Sequence, residues 1–517
     1  MSFGNKRGDG KLKASKVIWG ALAGFMLIAA GCSADGNSSD SSKTAESKTK
    51  ETTEVASGAS AQTYTDPKEM KKEYDIIIVG SGGAGMSAAI EAKDAGLNPV
   101  IFEKMPVVGG NTNKASSGMN ASETKFQKEQ GIDDSNDAFY EETLKGGHGT
   151  NDKELLRYFV DHSADAIDWL DSLDIPLNNL TITGGMSTKR THRPEDGSAV
   201  GEYLVKGLSE NVQKREIPVF VNSDVKSLVK EDNQVTGIKV SVEGQAEKEI
   251  TGKAVVVATG GFGASEELIE SVRPDLKGIV TTNQEGSTGD GIKMIEAVGG
   301  YTVDMDQIQV HPTVQQDKGV LIGEAVRGEG AILVDYKGNR FVNELDTRDN
   351  VTAAINNLSE KAAYLIFDQG VRDRATAIEF YAKQGYVVEG KTVEELSKKL
   401  NFAGDTLTQT VTTWNKAVAD KKDTQFNRTT AMDHDLSKGP FFAIKIAPGI
   451  HYTMGGVKIN SKTEVMKKDG ETIPGLFAAG EVTGGLHGQN RIGGNSVAEI
   501  IIFGRQAGTQ AAEFVKK

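Results

Sequence analysis

The 517-residue chain contains a single cysteine, Cys32. One thiol rules out an intrachain disulfide, a multi-thiolate metal site and a cysteine-held iron–sulfur cluster, and no CxxCH is present to attach haem. Long apolar runs are equally scarce. Beyond the N-terminus none approaches the roughly 20 residues of a membrane-spanning helix, which predicts a soluble body. Positive charge is also short, with 59 Lys and Arg against 72 Asp and Glu for a net charge of −13. Such a surface repels phosphate backbones, so nucleic acid is not an expected partner. There is no internal repeat, and the only compositionally biased stretch is the Ser-, Thr-, Lys- and Glu-rich segment 33–72, read as a solvated tether.

The first 32 residues have the three parts of a secretory signal. Lys6, Arg7, Lys11, Lys13 and Lys16 precede the apolar run Val17 to Ala30, and Ala29-Ala30-Gly31 leads into Cys32. Small residues before a cysteine resemble the lipobox of bacterial lipoproteins, with Ala29 where that pattern usually has Leu. The expectation is cleavage, acylation of Cys32 and a lipid anchor on the outer face of the cell membrane. Loss of residues 1–31 removes a net +4 and takes the formal charge from −13 to −17.

The apolar run Tyr74 to Val79 is followed by Gly80-Ser81-Gly82-Gly83-Ala84-Gly85 and then by helix-forming residues from Met86 to Ala95. A strand, a glycine turn and a helix N-terminus form a cradle for a pyrophosphate. Glu103, at the end of the next strand, stands where a ribose hydroxyl wants a carboxylate. At 517 residues more than one domain is expected. Gly475 to Glu481 and Gly493-Gly494-Asn495-Ser496 repeat the strand–glycine–helix logic far downstream, as in a dinucleotide domain interrupted by an insertion. Lys153 to Asp174 reads as one amphipathic core helix, and Val219 to Val221, Val235 to Val242 and Ala254 to Thr259 read as strands.

Several further segments carry a family resemblance: Gly109-Gly110-Asn111-Thr112, Ser117-Gly118-Met119-Asn120, His311-Pro312-Thr313, Glu324-Ala325-Val326-Arg327-Gly328, Thr347-Arg348-Asp349, His451 to Gly456 and His487 to Arg491. With the glycine turn they resemble the flavoprotein subunit of soluble fumarate reductases of the flavocytochrome c type, within the wider succinate dehydrogenase and fumarate reductase flavoprotein family. The resemblance runs from Lys72 to the C-terminus.

It implies an α/β fold, with a Rossmann-like FAD-binding domain (73–305 and 452–517) split by an inserted α+β capping domain (306–451). FAD would be non-covalent, because Asn111-Thr112 stand where covalently flavinylated members have a His. Its expected contacts are Gly80, Gly82, Gly83, Ala84 and Gly85 at the phosphates, and Glu103 and Lys104 at the ribose. Gly110, Asn111, Thr112, Ser117, Gly118, Met119 and Asn120 follow the second strand. Val225, Ala258, Thr259, Gly260 and Asp290 come from the middle of the chain, and Glu481, Gly494 and Ser496 from its end.

The resemblance also implies the chemistry. Arg348 would donate the proton, Arg327 and Glu324 would reprotonate it, and His311, His451 and Arg491 would hold a carboxylate while reduced FAD supplies hydride to fumarate. Thr453, Met454, Gly455, Glu481 and Thr483 match the positions of a monovalent cation site, expected to take Na+. Gly323 departs from the pattern, because fumarate-specific relatives usually have Thr there. Another enoate, of methacrylate or aryl-acrylate type, is therefore the alternative substrate. His311 and Glu324 argue against urocanate-reducing relatives, which use Tyr and Asp.

With haem and iron–sulfur excluded, another electron carrier is needed at the membrane side. Glu54 to Thr63 resembles the motif onto which FMN is attached by a phosphoester, which makes Ser60 the acceptor. A dehydrogenase or oxidase on the same scaffold, and a lipid-anchored flavin shuttle without turnover, are the rival readings.

Overall fold

The computed structural model describes residues 64–517, so Cys32, Ser60 and nearly all of the tether lie outside the described residues. What is described of segment 33–72 already belongs to the body. Thr65 donates its N–H to the Val219 carbonyl and accepts from the Val219 N–H on Oγ1, both at 3.0 Å, and Tyr64 and Met70 pack against the core. The body thus begins ahead of the boundary expected at residue 72. Hydrogen bonds to backbone need no large apolar side chain, so composition does not reveal them.

Strand Glu73–Val79 is buried from Ile76 onward. It pairs in parallel with Pro99–Phe102 on one side and with Lys248–Val257 on the other. An unbroken Ile/Val run is what a parallel strand covered on both faces requires. Val219–Phe220 and Thr472–Ala478 extend the parallel order at either end. The hairpin Ser223–Glu231 and Gln234–Val242 joins antiparallel to the start of Lys248–Val257. Helix Gly83–Asp94 follows the glycine turn, and the C-terminal helix Asn495–Lys516 lies on it. A Cβ at Gly508 would overlap the Ala88 carbonyl, so these two helices meet backbone to backbone.

Residues 322–446 build a second hydrophobic core, distinct from the one around the nucleotide sheet. It covers a six-stranded sheet in which Phe441–Thr453 is the longest strand. Trp414 lies between the guanidinium groups of Arg340 and Arg428, 4.6 and 4.7 Å from its ring. Both arginines bond Glu344, and Arg340 also bonds Asp423, so every buried charge of the cluster is paired. Phe441–Thr453 joins the two parts. Its first half pairs with Ala363–Asp368 and its second half with Ile308–Gln315.

The expected single helix from Lys153 to Asp174 is two, Lys153–Asp161 and Ser163–Ser172. His162 has φ −104° and ψ 10°, and its Nδ1 lies 2.8 Å from the Tyr158 carbonyl. After the break the buried face is re-set to Ser163, Ala166, Ile167 and Leu170, while Ala164 is only partly buried. The apolar period continues through His162 and hides the break.

Candidate functional site

A cavity of about 670 Å³ runs between the glycine turn and the second core. At Gly80, φ is +102° and a Cβ would overlap the Ala258 carbonyl, so only glycine makes the turn. A Cβ at Gly85 would overlap the Gly80 carbonyl, which keeps the helix start close to the strand end. Gly82, Gly110 and Gly260 instead leave open space on the cavity side, with no atom nearer than 3.6 Å to an added Cβ. The N-cap residue of helix Gly83–Asp94 supplies no side-chain bond and Thr112 Oγ1 takes only the Gly83 N–H, at 3.0 Å, so the N–H groups that follow are left to an anion. Glu103 Oε2 accepts from the Ser81 N–H and hydroxyl at 2.9 and 2.5 Å, and Oε1 accepts from the Met105 N–H at 2.8 Å. Both lone pairs of Oε2 are thereby used, and Oε1 keeps one for a ribose hydroxyl. Lys104 Nζ is tied to Asp290 at 2.7 Å and to Thr288 Oγ1 at 2.9 Å on the same wall. A glycine cradle, a helix start with N–H groups left over and a fixed carboxylate fit a dinucleotide flavin.

Most of the expected contacts line this cavity: Gly80, Gly82, Gly83, Ala84, Glu103, Lys104, Gly110, Asn111, Thr112, Ser117, Gly118, Val225, Ala258, Thr259, Gly260, Asp290, Glu481, Gly494 and Ser496. Gly85, Met119 and Asn120 stand behind its wall. Asn120 is a brace, donating to the Gly493 carbonyl at 2.6 Å and to Asn495 Oδ1 at 2.7 Å while accepting from Thr191 Oγ1 at 2.6 Å. Asn111 donates to Asn283 Oδ1 at 2.6 Å and to Glu481 Oε2 at 3.4 Å. Burial pushes the Glu481 carboxyl up to about 7.

At the other end of the cavity Arg348 is 5% exposed. Its Nη2 and Nε donate to Glu324 Oε2 at 2.8 and 3.2 Å, and its Nη1 donates to Gln309 Oε1 at 2.9 Å. A guanidinium has five N–H groups, so two remain to face the cavity. Glu324 Oε1 accepts from the Gly184 N–H at 3.2 Å and stands 3.8 Å from Arg327 Nη2. The neighbouring Arg348 and Arg327 hold the Glu324 carboxyl below its usual range despite burial. Burial lowers Arg327, which is fully enclosed and anchored by Nη1 to the Glu344 carbonyl at 2.5 Å. The three expected proton-handling residues therefore form one file, with Arg348 alone reaching the cavity.

Arg491 also lines the cavity, stacked on the Tyr452 ring with its guanidinium carbon 4.2 Å from the ring centroid. Its Nε and Nη2 are buried without a partner among the described residues. Burial and the nearby Arg348 lower it to about 10. Two unpaired cationic donors on a rigid fork suit a carboxylate. His451 lies beside it, with Nδ1 2.8 Å from Thr282 Oγ1. His311, on the paired strand, has its ring centroid 5.1 Å from that of His451. Its Nδ1 accepts from the Thr313 N–H at 3.2 Å, which places its proton on Nε2, where it has no partner. Burial and the surrounding arginines hold both imidazoles well below their ordinary range, in the neutral form. His311 is fully buried and stands behind the cavity wall. Shifts of register flank it in the ladder, between Gln309 and Val310 and between His311 and Val314.

Of the residues expected at a cation site, Glu481 lines the cavity and Thr453, Met454, Gly455 and Thr483 do not. Glu481 Oε1 accepts from the Thr453 N–H at 3.0 Å, and Thr483 is bridged to Val457, close after Met454 and Gly455. Among the described residues no group of three or more His, Cys, Asp or Glu is placed to hold a metal.

Sequence reading missed Gln309. Its amide carbonyl accepts from Arg348 while its NH2 donates to Asn490 Oδ1 at 2.8 Å and to the Arg491 carbonyl at 2.6 Å. It also missed Tyr452, whose hydroxyl bonds Glu499 beneath Arg491, and Ser116 and Tyr381 on the cavity wall. The one available signal was the position of Gln309 two residues before His311 on a strand, which puts both on the same face.

The family pattern described as FAD binding domain matches residues 75–497. NADH:fumarate oxidoreductase of Klebsiella pneumoniae (strain 342) is 51% identical over 86% of this chain and 48% of its own length, so the chain spans about half of that relative. Fumarate reductase (cytochrome) of Shewanella frigidimarina is 44% identical over 86% of this chain and 78% of its own. A solved structure of the open conformation of a flavocytochrome c3 fumarate reductase matches with TM-score 0.72 and 39% identity, covering 87% of this chain and 80% of that one. The chain belongs to the FAD-binding flavoproteins of the fumarate reductase type, which are flavin oxidoreductases acting on CH–CH groups.

Proposed function

We propose that the protein reduces the double bond of a short unsaturated carboxylate, with fumarate giving succinate as the first substrate. The observation that carries this reading is the convergence of Arg348, His451 and Arg491 on one wall of the flavin cavity, with Arg348 backed by Glu324. The glycine turn and Glu103 would hold FAD, whose reduced form would supply the hydride for one alkene carbon. Arg491 and His451 hold a substrate carboxylate and draw electron density from the double bond. Arg348 directs its free N–H groups at the other alkene carbon and gives up the proton, and Glu324 passes a replacement from Arg327. An arginine is a weak acid. The carbanion-like intermediate is a stronger base, and neighbouring cations favour release of the proton. The names of the Klebsiella and Shewanella relatives support fumarate.

The reading extends to the cell surface. The three-part leader before Cys32 supports a lipid anchor facing outward, and the sequence around Ser60 supports a covalent FMN that relays electrons from a membrane-side donor. A Na+ ion beside Glu481 would stiffen the strand next to the flavin. The test is anaerobic oxidation of the dye-reduced protein by a panel of enoates, fumarate first. Rapid reoxidation by fumarate supports the proposal, and failure of every enoate to reoxidise the flavin defeats it.

A further inference from the structure

Beside the acid, the cavity wall carries two hydroxyl groups that the reaction described above does not use. Gly323 immediately precedes Glu324, and its N–H donates to Tyr381 Oη at 2.9 Å. A Cβ built on Gly323 would stand 2.8 Å from Ser116 Oγ and 3.5 Å from Tyr381 Oη, so the two hydroxyls close over the glycine from different segments. Both residues line the cavity that Arg348, His451 and Arg491 line. Tyr381 is 3% exposed. Its oxygen is already an acceptor for the Gly323 N–H, and burial pushes the phenol up to about 12, so it keeps its proton. That proton has no acceptor among the described residues. A buried phenol O–H needs an acceptor, and the cavity is the side left open to it.

We propose that Tyr381 and Ser116 form the receptor for the second carboxylate of the substrate, so that the site selects a short unsaturated dicarboxylate over enoates with one carboxylate. Arg491 and His451 take one carboxylate, and the two hydroxyls donate to the other across the double bond, beside Arg348. A side chain at position 323 is unnecessary in this arrangement, because the hydroxyl donors arrive from Ser116 and from helix Ala377–Lys383. The inference rests on the reductase reading and names which substrates it prefers.

The experiment compares wild type, Tyr381→Phe and Ser116→Ala, all holding FAD. It measures the dissociation constant of fumarate from the change in flavin absorbance of the oxidised protein, and kcat/KM for fumarate and for methacrylate. A hydrogen bond to a charged acceptor corresponds to about a tenfold change or more. Fumarate should therefore bind about tenfold more weakly in each variant, and the fumarate-to-methacrylate ratio of kcat/KM should fall by a similar factor. Ser116→Ala covers the case in which Tyr381→Phe, by stranding the Gly323 N–H, destabilises the cap. An unchanged ratio and unchanged fumarate binding in both variants, or equal losses for both substrates, overturn the assignment while leaving the reductase reading intact. A wild type that no enoate reoxidises overturns the reductase reading, and this inference with it.

Discussion

Gly493→Ala isolates the pairing of Glu324 with Arg348. The backbone at Gly493 is not in the left-handed region, so alanine fits it without strain. The added methyl, however, would overlap Glu324 Oε2 and stand 2.8 Å from Arg348 Nη2. Ordinary carbon contacts lie at about 3.5 Å or beyond, so the carboxylate must retreat by about 1 Å. Its bonds to Arg348 are now 2.8 and 3.2 Å, and such a retreat takes both out of hydrogen-bonding range. Losing a charged hydrogen bond costs about 1.5 to 3 kcal/mol, and each 1.4 kcal/mol is about tenfold in rate. Turnover should fall by about ten- to hundredfold. Gly493 lies outside the cavity wall, so FAD content should not change. Stopped-flow reoxidation of the reduced flavin by fumarate reads the effect directly, and the flavin-to-protein ratio checks the cofactor. Reoxidation within twofold of wild type would refute the reasoning, because it would mean that the ion pair does not govern proton delivery.

Arg348→Lys should lower turnover by about a thousandfold while fumarate still binds, because a general acid acts in the transition state; steady-state kinetics with flavin-monitored binding separates the two. Gly85→Ala should yield colourless protein, since its methyl meets the Gly80 carbonyl at the heart of the phosphate turn, and the absorbance of the purified chain reports this. Acid precipitation of wild type should release all the FAD into the supernatant, and yellow colour in the pellet would contradict non-covalent binding. Burial depresses His192 from 6.5 to about 4, so the folded state binds fewer protons there than the unfolded chain. Its contribution to stability is complete above pH 6.5 and is lost as pH falls toward 4, amounting to about 3 kcal/mol. Urea unfolding between these pH values should show a shallower loss in His192→Gln.

The glycine turn was legible because each glycine answers a local backbone demand, and Glu103 because its distance along the chain follows from strand and helix lengths. The buried Ile and Val strands were legible from their unbroken apolar runs. Gln309, Ser116 and Tyr381 were not. Tyr381 reads as an ordinary apolar residue of a short helix, and its meeting with Gly323 spans 58 positions. The Gln309–Arg348 contact spans 39 positions, and the joining ladder shifts register beside it. Sequence period records what a residue does within its own element. It does not record which distant element arrives opposite.

The Gln309 amide ties its own strand to two other segments, through Arg348 on one side and Asn490 with the Arg491 carbonyl on the other. It thereby acts as a coincidence detector, since Arg348 and Arg491 are aimed together only while all three segments hold the same relative position. A one-residue slip in the ladder between Ile308–Gln315 and Phe441–Thr453 would leave every reactive side chain intact and still silence the enzyme. Grafting the cap of a relative onto this body would run the same risk. The sequence tolerance of this protein is therefore set as much by the spacing of its joining strands as by its arginines.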